Sequence, residues 1–243
     1  MIHSFFTLSQ KKPLFLILSI LLATGSLTLA QEQDAKKAIF TENLRFSIGG
    51  SFFAGAGFEK YDLFKTSDGD KASISPGGGI GLDLVLGFLI TPKIEIDLNA
   101  AFQSSSLSKN LDNADASFTR VYVNSTFKFL IPTKNSKRVW KIGGGIGYYM
   151  PQSLSIEWSD LGNIDDGDVE LEYKASIGYH AAVDYEMLFG NKNWSLLFNI
   201  TYYYTSFKYS SASSSNVTIV DIGDFETLDG SSVNFGLAIK KYF

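Results

Sequence analysis

The sequence predicts an all-β fold, an eight-stranded antiparallel up-and-down β-barrel. Three observations predict it. Apolar and polar residues alternate with period two in eight separate segments. After residue 30 no apolar run is long enough for a spanning helix. The connections alternate between short and long, the layout of antiparallel strands with tight turns at one end and extended loops at the other.

Composition narrows the reading before any element is placed. The 243 residues are 45% hydrophobic and 14% aromatic, too apolar for a disordered chain. The charged fraction, 19%, lies below the ~25% of ordinary soluble domains. The absence of cysteine excludes a disulfide scaffold, Cys-ligated zinc and a Cys nucleophile. A net charge of -4 offers no basic footprint, so no nucleic-acid partner is expected. With only His3 and His180, no metal-ligating, catalytic or cofactor-binding residue is expected, and no cofactor.

Residues 1–30 read as a signal peptide. Lys11 and Lys12 form the positive region, residues 14–23 the apolar run, and Thr28 and Ala30 the small residues before a cleavage site. Residues 31–43 are a short polar lead-in, expected in the periplasm. Without the leader the chain carries 19 basic and 25 acidic residues, a net charge of -6.

The barrel domain is expected over residues 44–243. The first strand sets Leu44, Phe46, Ile48, Phe52, Ala54, Ala56 and Phe58 against Arg45, Ser47, Gly49, Ser51, Gly55 and Gly57. The second sets Ile80, Leu82, Leu84, Leu86 and Phe88 against Gly79, Gly81, Asp83, Val85 and Gly87. The third sets Ile94, Ile96, Leu98, Ala100 and Phe102 against Glu95, Asp97, Asn99, Ala101 and Gln103. The fourth sets Val121, Val123, Phe127, Phe129 and Ile131 against Arg120, Tyr122, Asn124, Thr126 and Lys128.

The fifth sets Trp140, Ile142, Ile146, Tyr148 and Met150 against Lys141, Gly143, Gly145, Gly147 and Tyr149. The sixth sets Ile177, Tyr179, Ala181, Val183, Tyr185 and Met187 against Gly178, His180, Ala182, Asp184 and Glu186. The seventh sets Trp194, Leu196, Phe198, Ile200, Tyr202 and Tyr204 against Ser195, Asn199, Thr201 and Tyr203. The eighth sets Val233, Phe235, Leu237, Ile239 and Phe243 against Ser232, Asn234, Gly236, Ala238, Lys240 and Tyr242. Short turns fall near 90–93, 132–138 and 188–193; long loops fall near 59–77, 104–117, 151–172 and 207–231.

Residue size decides which face is outside. Eight strands enclose a space just wide enough for side chains to fill. The polar face is small, with 11 of the 22 glycines, and the apolar face is bulky. A soluble barrel needs the reverse, so the bulky face is expected against lipid and the barrel is expected to be transmembrane. The polar face carries Glu59, Asp83, Glu95, Asp97, Asp184 and Glu186 against Arg45, Arg120, Lys128, Lys141, Lys174 and Lys240. Charges in a water-poor lumen are tolerable only when paired, which predicts a salt-bridge network. Trp140 and Trp194 at one end, and Phe58, Phe102, Tyr148 and Tyr204 at the other, predict two aromatic girdles.

The last strand, VNFGLAIKKYF, closes on an aromatic residue. Signal peptide, eight strands and terminal Phe243 together resemble the small OmpA/OmpX-type outer-membrane β-barrel family over residues 44–243. Lys241 departs from the family's last strand, where that place is apolar or aromatic. The resemblance implies a cell-outer-membrane location, lipid as a partner, both termini periplasmic, and recognition of Phe243 by the barrel-assembly machinery.

Little enzymatic chemistry is visible. Lipid A deacylase barrels use a His-x-Ser pair; here His180 is followed by Ala181 and Ala182, so the nucleophile is missing. His180 is expected to bond Asp184 or Glu186. The clusters at 77–81 and 143–147 lack the G-x-G-x-x-G spacing and are expected inside strands, where they let the wall curve. Loop 151–172 holds Glu157, Asp160, Asp165, Asp166, Asp168, Glu170 and Glu172 with no base, a charge of -7. Its oxygen donors suit Ca2+ but lack EF-hand spacing, and a solvated acidic loop is the preferred expectation. Loop 207–231 is serine-rich and expected to be mobile. The short turns are basic at Lys93, Lys134, Lys137, Arg138 and Lys192. The function expected is a non-enzymatic surface role through four long extracellular loops, with host or surface molecules as partners. A small or gated porin-like channel is the alternative, and a lipid-modifying enzyme a more distant one.

Overall fold

The computed structural model describes residues 46–65, 71–135, 137–159, 166–189, 193–214 and 223–243. The leader, the lead-in, Arg45, Asp160, Asp165 and Lys192 lie outside the described residues.

The described residues are almost entirely β-structure. The strands are β1 (Phe46–Gly57), β2 (Tyr61–Lys65), β3 (Lys71–Ile74), β4 (Gly79–Thr91), β5 (Ile94–Ser106), β6 (Ala114–Pro132) and β7 (Arg138–Tyr149). They continue with β8 (Gln152–Trp158), β9 (Gly167–Tyr173), β10 (Ser176–Phe189), β11 (Trp194–Tyr204), β12 (Ser206–Ser214), β13 (Thr227–Asp229) and β14 (Ser232–Tyr242). Eight form the wall in the order β1, β4, β5, β6, β7, β10, β11, β14, each antiparallel to the next. β14 returns to β1, from Ser47 opposite Tyr242 to Gly57 opposite Ser232, and the barrel is closed. Closure leaves no unpaired edge within the wall, which a hydrocarbon surround demands.

The apolar rows face outward. Leu84 is 67% exposed, Ile177 65% and Leu82 61%, while Asp97, Lys141 and Glu186 are fully buried. Water would not select this inversion. Trp140, Trp194 and Phe243 are exposed near the short-turn end; Phe58, Phe102, Tyr148 and Tyr204 are exposed near the long-loop end.

The long loops depart from expectation. Instead of loose connections they build a second β-layer above the wall. β6 runs six residues beyond its alternating core, and Ala114–Thr119 pairs with β8. β9 pairs with β8, β12 with β9, and β13 with β12. The serine-rich segment expected to be mobile is therefore strand as far as Ser214. The β2–β3 hairpin joins the same layer, where Tyr61 Oη accepts from the Asp229 amide at 2.7 Å. The physical reason is burial. Phe118, Leu154, Phe207 and Leu228, on four of these strands, are wholly buried against one another. Burying each such side chain contributes about 1.5–3 kcal/mol, enough to order segments whose exposed faces are serine and acid.

Candidate functional site

Strand β6 reads through the whole lumen. Its inward residues descend from the long-loop end as Ala116, Phe118, Arg120, Tyr122, Asn124, Thr126, Lys128 and Leu130, and all eight are buried. Each marks a layer.

At the short-turn end Leu130, Val139, Leu188 and Tyr242 form a small apolar plug. Above it stands the ion network. Lys128 Nζ lies 2.6 Å from both Asp97 and Asp184. Lys141 Nζ lies 2.5 Å from Glu186 and also pairs with Glu95. Lys240 Nζ reaches Glu95 at 3.2 Å and Asp97 at 3.1 Å. Tyr242 Oη and Ser195 Oγ both donate to Glu186. Three lysines thus meet four carboxylates from β5, β6, β7, β10 and β14. Every lysine contacts two acids, the arrangement that offsets the cost of burying charge.

Seven of the twelve charges expected in the lumen belong to this network. Asp83 faces the same space and accepts from Asn99 Nδ2 at 3.5 Å. Arg120 is buried but held differently: Nη1 donates to the Gly230 carbonyl at 2.7 Å and Nη2 to the Gln103 side chain. Glu59 and Lys174 are exposed beyond the wall, because the alternation that puts a residue in the lumen ends where the strand leaves the barrel. His180 also departs from expectation. Its Nε2 meets Thr126 Oγ1 at 2.8 Å rather than Asp184 or Glu186, which the lysines already occupy.

The upper lumen is aromatic, filled by Tyr122, Tyr149 and Tyr203 of the polar face. The rings of Tyr122 and Tyr149 are 4.9 Å apart, and Tyr203 lies 5.7 Å from Tyr122. Phe53, passed over in the sequence between two outward residues, is buried on the lumen side. Strand parity was the signal for all four. Glycines make room for these rings: a Cβ on Gly178 would meet the Tyr149 ring at 2.7 Å, and one on Gly81 the Phe53 ring at 2.3 Å. Gly77 and Gly78 are not inside a strand as expected. They lie in the turn before β4, where the Gly78 carbonyl accepts from Ser105 Oγ at 2.6 Å and Gln103 Nε2 at 2.5 Å. Above the tyrosines Phe118, Phe207, Tyr173, Leu154 and Leu228 complete the filling.

The outer rim is acidic. Between the 111–115 connection and the β8–β9 hairpin lies an open cleft of about 710 Å³. Asp112, Asp115, Glu157, Asp166, Asp168 and Glu170 line it beside Trp158, with no base among the described residues that line it. Among the described residues no three acids converge as metal ligands. Buried Tyr173 and half-buried Tyr61 support this rim. Burial pushes the Tyr173 phenol well above its ordinary value, and Tyr173 donates to the Phe225 carbonyl at 3.1 Å. The Tyr61 phenol is raised first by burial, with the charges of Asp229, Glu59 and Asp224 adding to it.

No protein-family model and no curated protein matches the chain. Solved structures do. The outer membrane protein OprG of Pseudomonas aeruginosa aligns over 84% of this chain and 99% of its own, with a TM-score of 0.51 at 11% identity. Neisserial surface protein A aligns over 82% and 97%, with a TM-score of 0.48 at 13% identity. A major outer membrane protein of Thermus thermophilus aligns over 83% and 100%, with a TM-score of 0.48 at 15% identity. With its closed eight-strand wall, its outward apolar rows and its likeness to OprG, the chain has the fold of a small eight-stranded outer-membrane β-barrel.

Proposed function

We propose that this protein is an integral outer-membrane β-barrel whose long-loop end is a rigid binding platform for a basic partner surface. On this reading it is neither an open channel nor an enzyme. The short-turn end faces the periplasm, and Phe243, the residue directly after β14, serves the assembly machinery.

The observation that carries this reading is the filling of the lumen. An apolar plug, an ion-paired network and an aromatic layer lie in series, which supports a lumen filled by side chains rather than an open pore. The folded outer layer, in contrast, presents six carboxylates around one cleft. Acids of one sign at a concave surface raise the local concentration of cationic partners. The lone luminal histidine is bonded to a threonine and has no serine at 182 to activate, which speaks against acyl-transfer chemistry.

The test has two arms on refolded protein. Planar-bilayer recording is expected to give no steady conductance. Binding of a lysine-rich peptide is expected to weaken with salt and to fall at least tenfold in the Asp115→Asn, Glu157→Gln, Asp168→Asn, Glu170→Gln variant. Unitary current steps from the wild type would replace this reading with the channel reading. Peptide binding unchanged in the fourfold variant would remove the platform.

A further inference from the structure

Phe235, Leu237 and Ile239 are exposed apolar residues on the outward row of β14, and the next outward place is Lys241. Its ammonium lies 4.9 Å from the ring centre of Phe243 and 5.6 Å from that of Trp194. Trp194 stands opposite Lys241 in the β11–β14 register. Phe46 and Phe88 continue the aromatic surface, with Phe46 6.0 Å from Phe243 and 5.4 Å from Phe88.

Rings within ~6 Å orient a cation through their quadrupoles without neutralising it. Each luminal lysine meets two carboxylates, but among the described residues Lys241 has no carboxylate within ion-pair distance. Its charge stands at the margin of the exposed apolar band, where hydration is partial. Among the described residues no side chain neutralises it. A lysine is a compact point charge with three donors, suited to phosphate oxygens.

The geometry points to a lipid-headgroup site, in which Lys241, flanked by Trp194 and Phe243, takes the phosphodiester of an anionic phospholipid in the leaflet at the short-turn end. The rings lie against the glycerol and the first acyl carbons. A zwitterionic lipid fits less well, since its own ammonium competes with Lys241. The site rests on the membrane reading above.

Its test uses full-length protein carrying Trp140→Phe and Trp158→Phe, so that Trp194 alone fluoresces. The protein is refolded in phosphatidylcholine vesicles containing a minor fraction of brominated phosphatidylglycerol or, separately, brominated phosphatidylcholine. The brominated phosphatidylglycerol is expected to be favoured at Trp194 by about fivefold, the ratio for one lysine at an anionic surface. Lys241→Gln is expected to equalise the two lipids, and Lys241→Arg to keep the preference. Equal quenching by both lipids around Lys241 overturns the site while leaving the membrane reading intact. Absence of quenching by either lipid, with no heat-dependent gel shift, overturns both.

Discussion

Lys128 Nζ stands 2.6 Å from Asp184 Oδ2, joining β6 to β10 over the intervening strand β7. The contact staples the wall from within. Neither residue is near the other in sequence, and neither strand pairs with the other.

Removing this lysine leaves Asp97 and Asp184 each short of a partner. Lys128→Met is expected to destabilise the barrel by about 3–5 kcal/mol, the cost of an uncompensated buried charge. Adding Asp184→Asn is expected to recover part of that loss. Urea unfolding followed by tyrosine and tryptophan fluorescence in micelles measures both variants.

Wall glycines differ sharply in what they tolerate. A Cβ on Gly145 would stand 1.8 Å from the Ser125 carbonyl and 2.9 Å from the His180 ring. At Gly50, which faces outward, the nearest atom would be 3.6 Å away. Gly145→Val is expected to abolish the heat-modifiable form on gels, whereas Gly50→Val is expected to keep it.

Phe207 is wholly buried in the outer layer, packed 5.6 Å from the Phe118 ring and 5.7 Å from that of Tyr149. Phe207→Ala is expected to cost about 3–5 kcal/mol there. The loss should be local. Proteolysis at the outer layer should accelerate while the wall remains heat-modifiable.

The outer layer should also weaken in alkali. The phenols of Tyr61 and Tyr173 are raised by burial, so the unfolded chain releases their protons first, near pH ~10. Stability is level below that pH and falls as pH rises from it towards the folded-state values. In spectrophotometric titration, Tyr173→Phe is expected to remove a late-ionising phenol and leave the earlier part of the curve unchanged.

The wall is legible in the order of residues along the chain. Period two marks every wall strand, because each residue on a closed sheet faces either lipid or lumen. Residue size then assigned the faces, since an eight-stranded interior admits small and paired polar groups but not rows of Phe and Leu. The same parity placed Glu95, Asp97, Lys128, Lys141, Asp184, Glu186 and Lys240 in the lumen. Which acid meets which base was decided only by strand stagger across the barrel. That is why Lys240 on β14 reaches Glu95 and Asp97 on β5, two strands beyond its neighbour β1. His180 bonds Thr126 for the same reason.

The outer layer depends instead on contacts between distant segments. Its strands are short, and β12 reads as serine-rich polar chain with one deep anchor at Phe207. Such segments carry too little alternation of their own to be recognised as strands. They order because Phe118, Tyr173, Phe207 and Leu228, far apart in sequence, are brought over the mouth of one barrel and bury one another there.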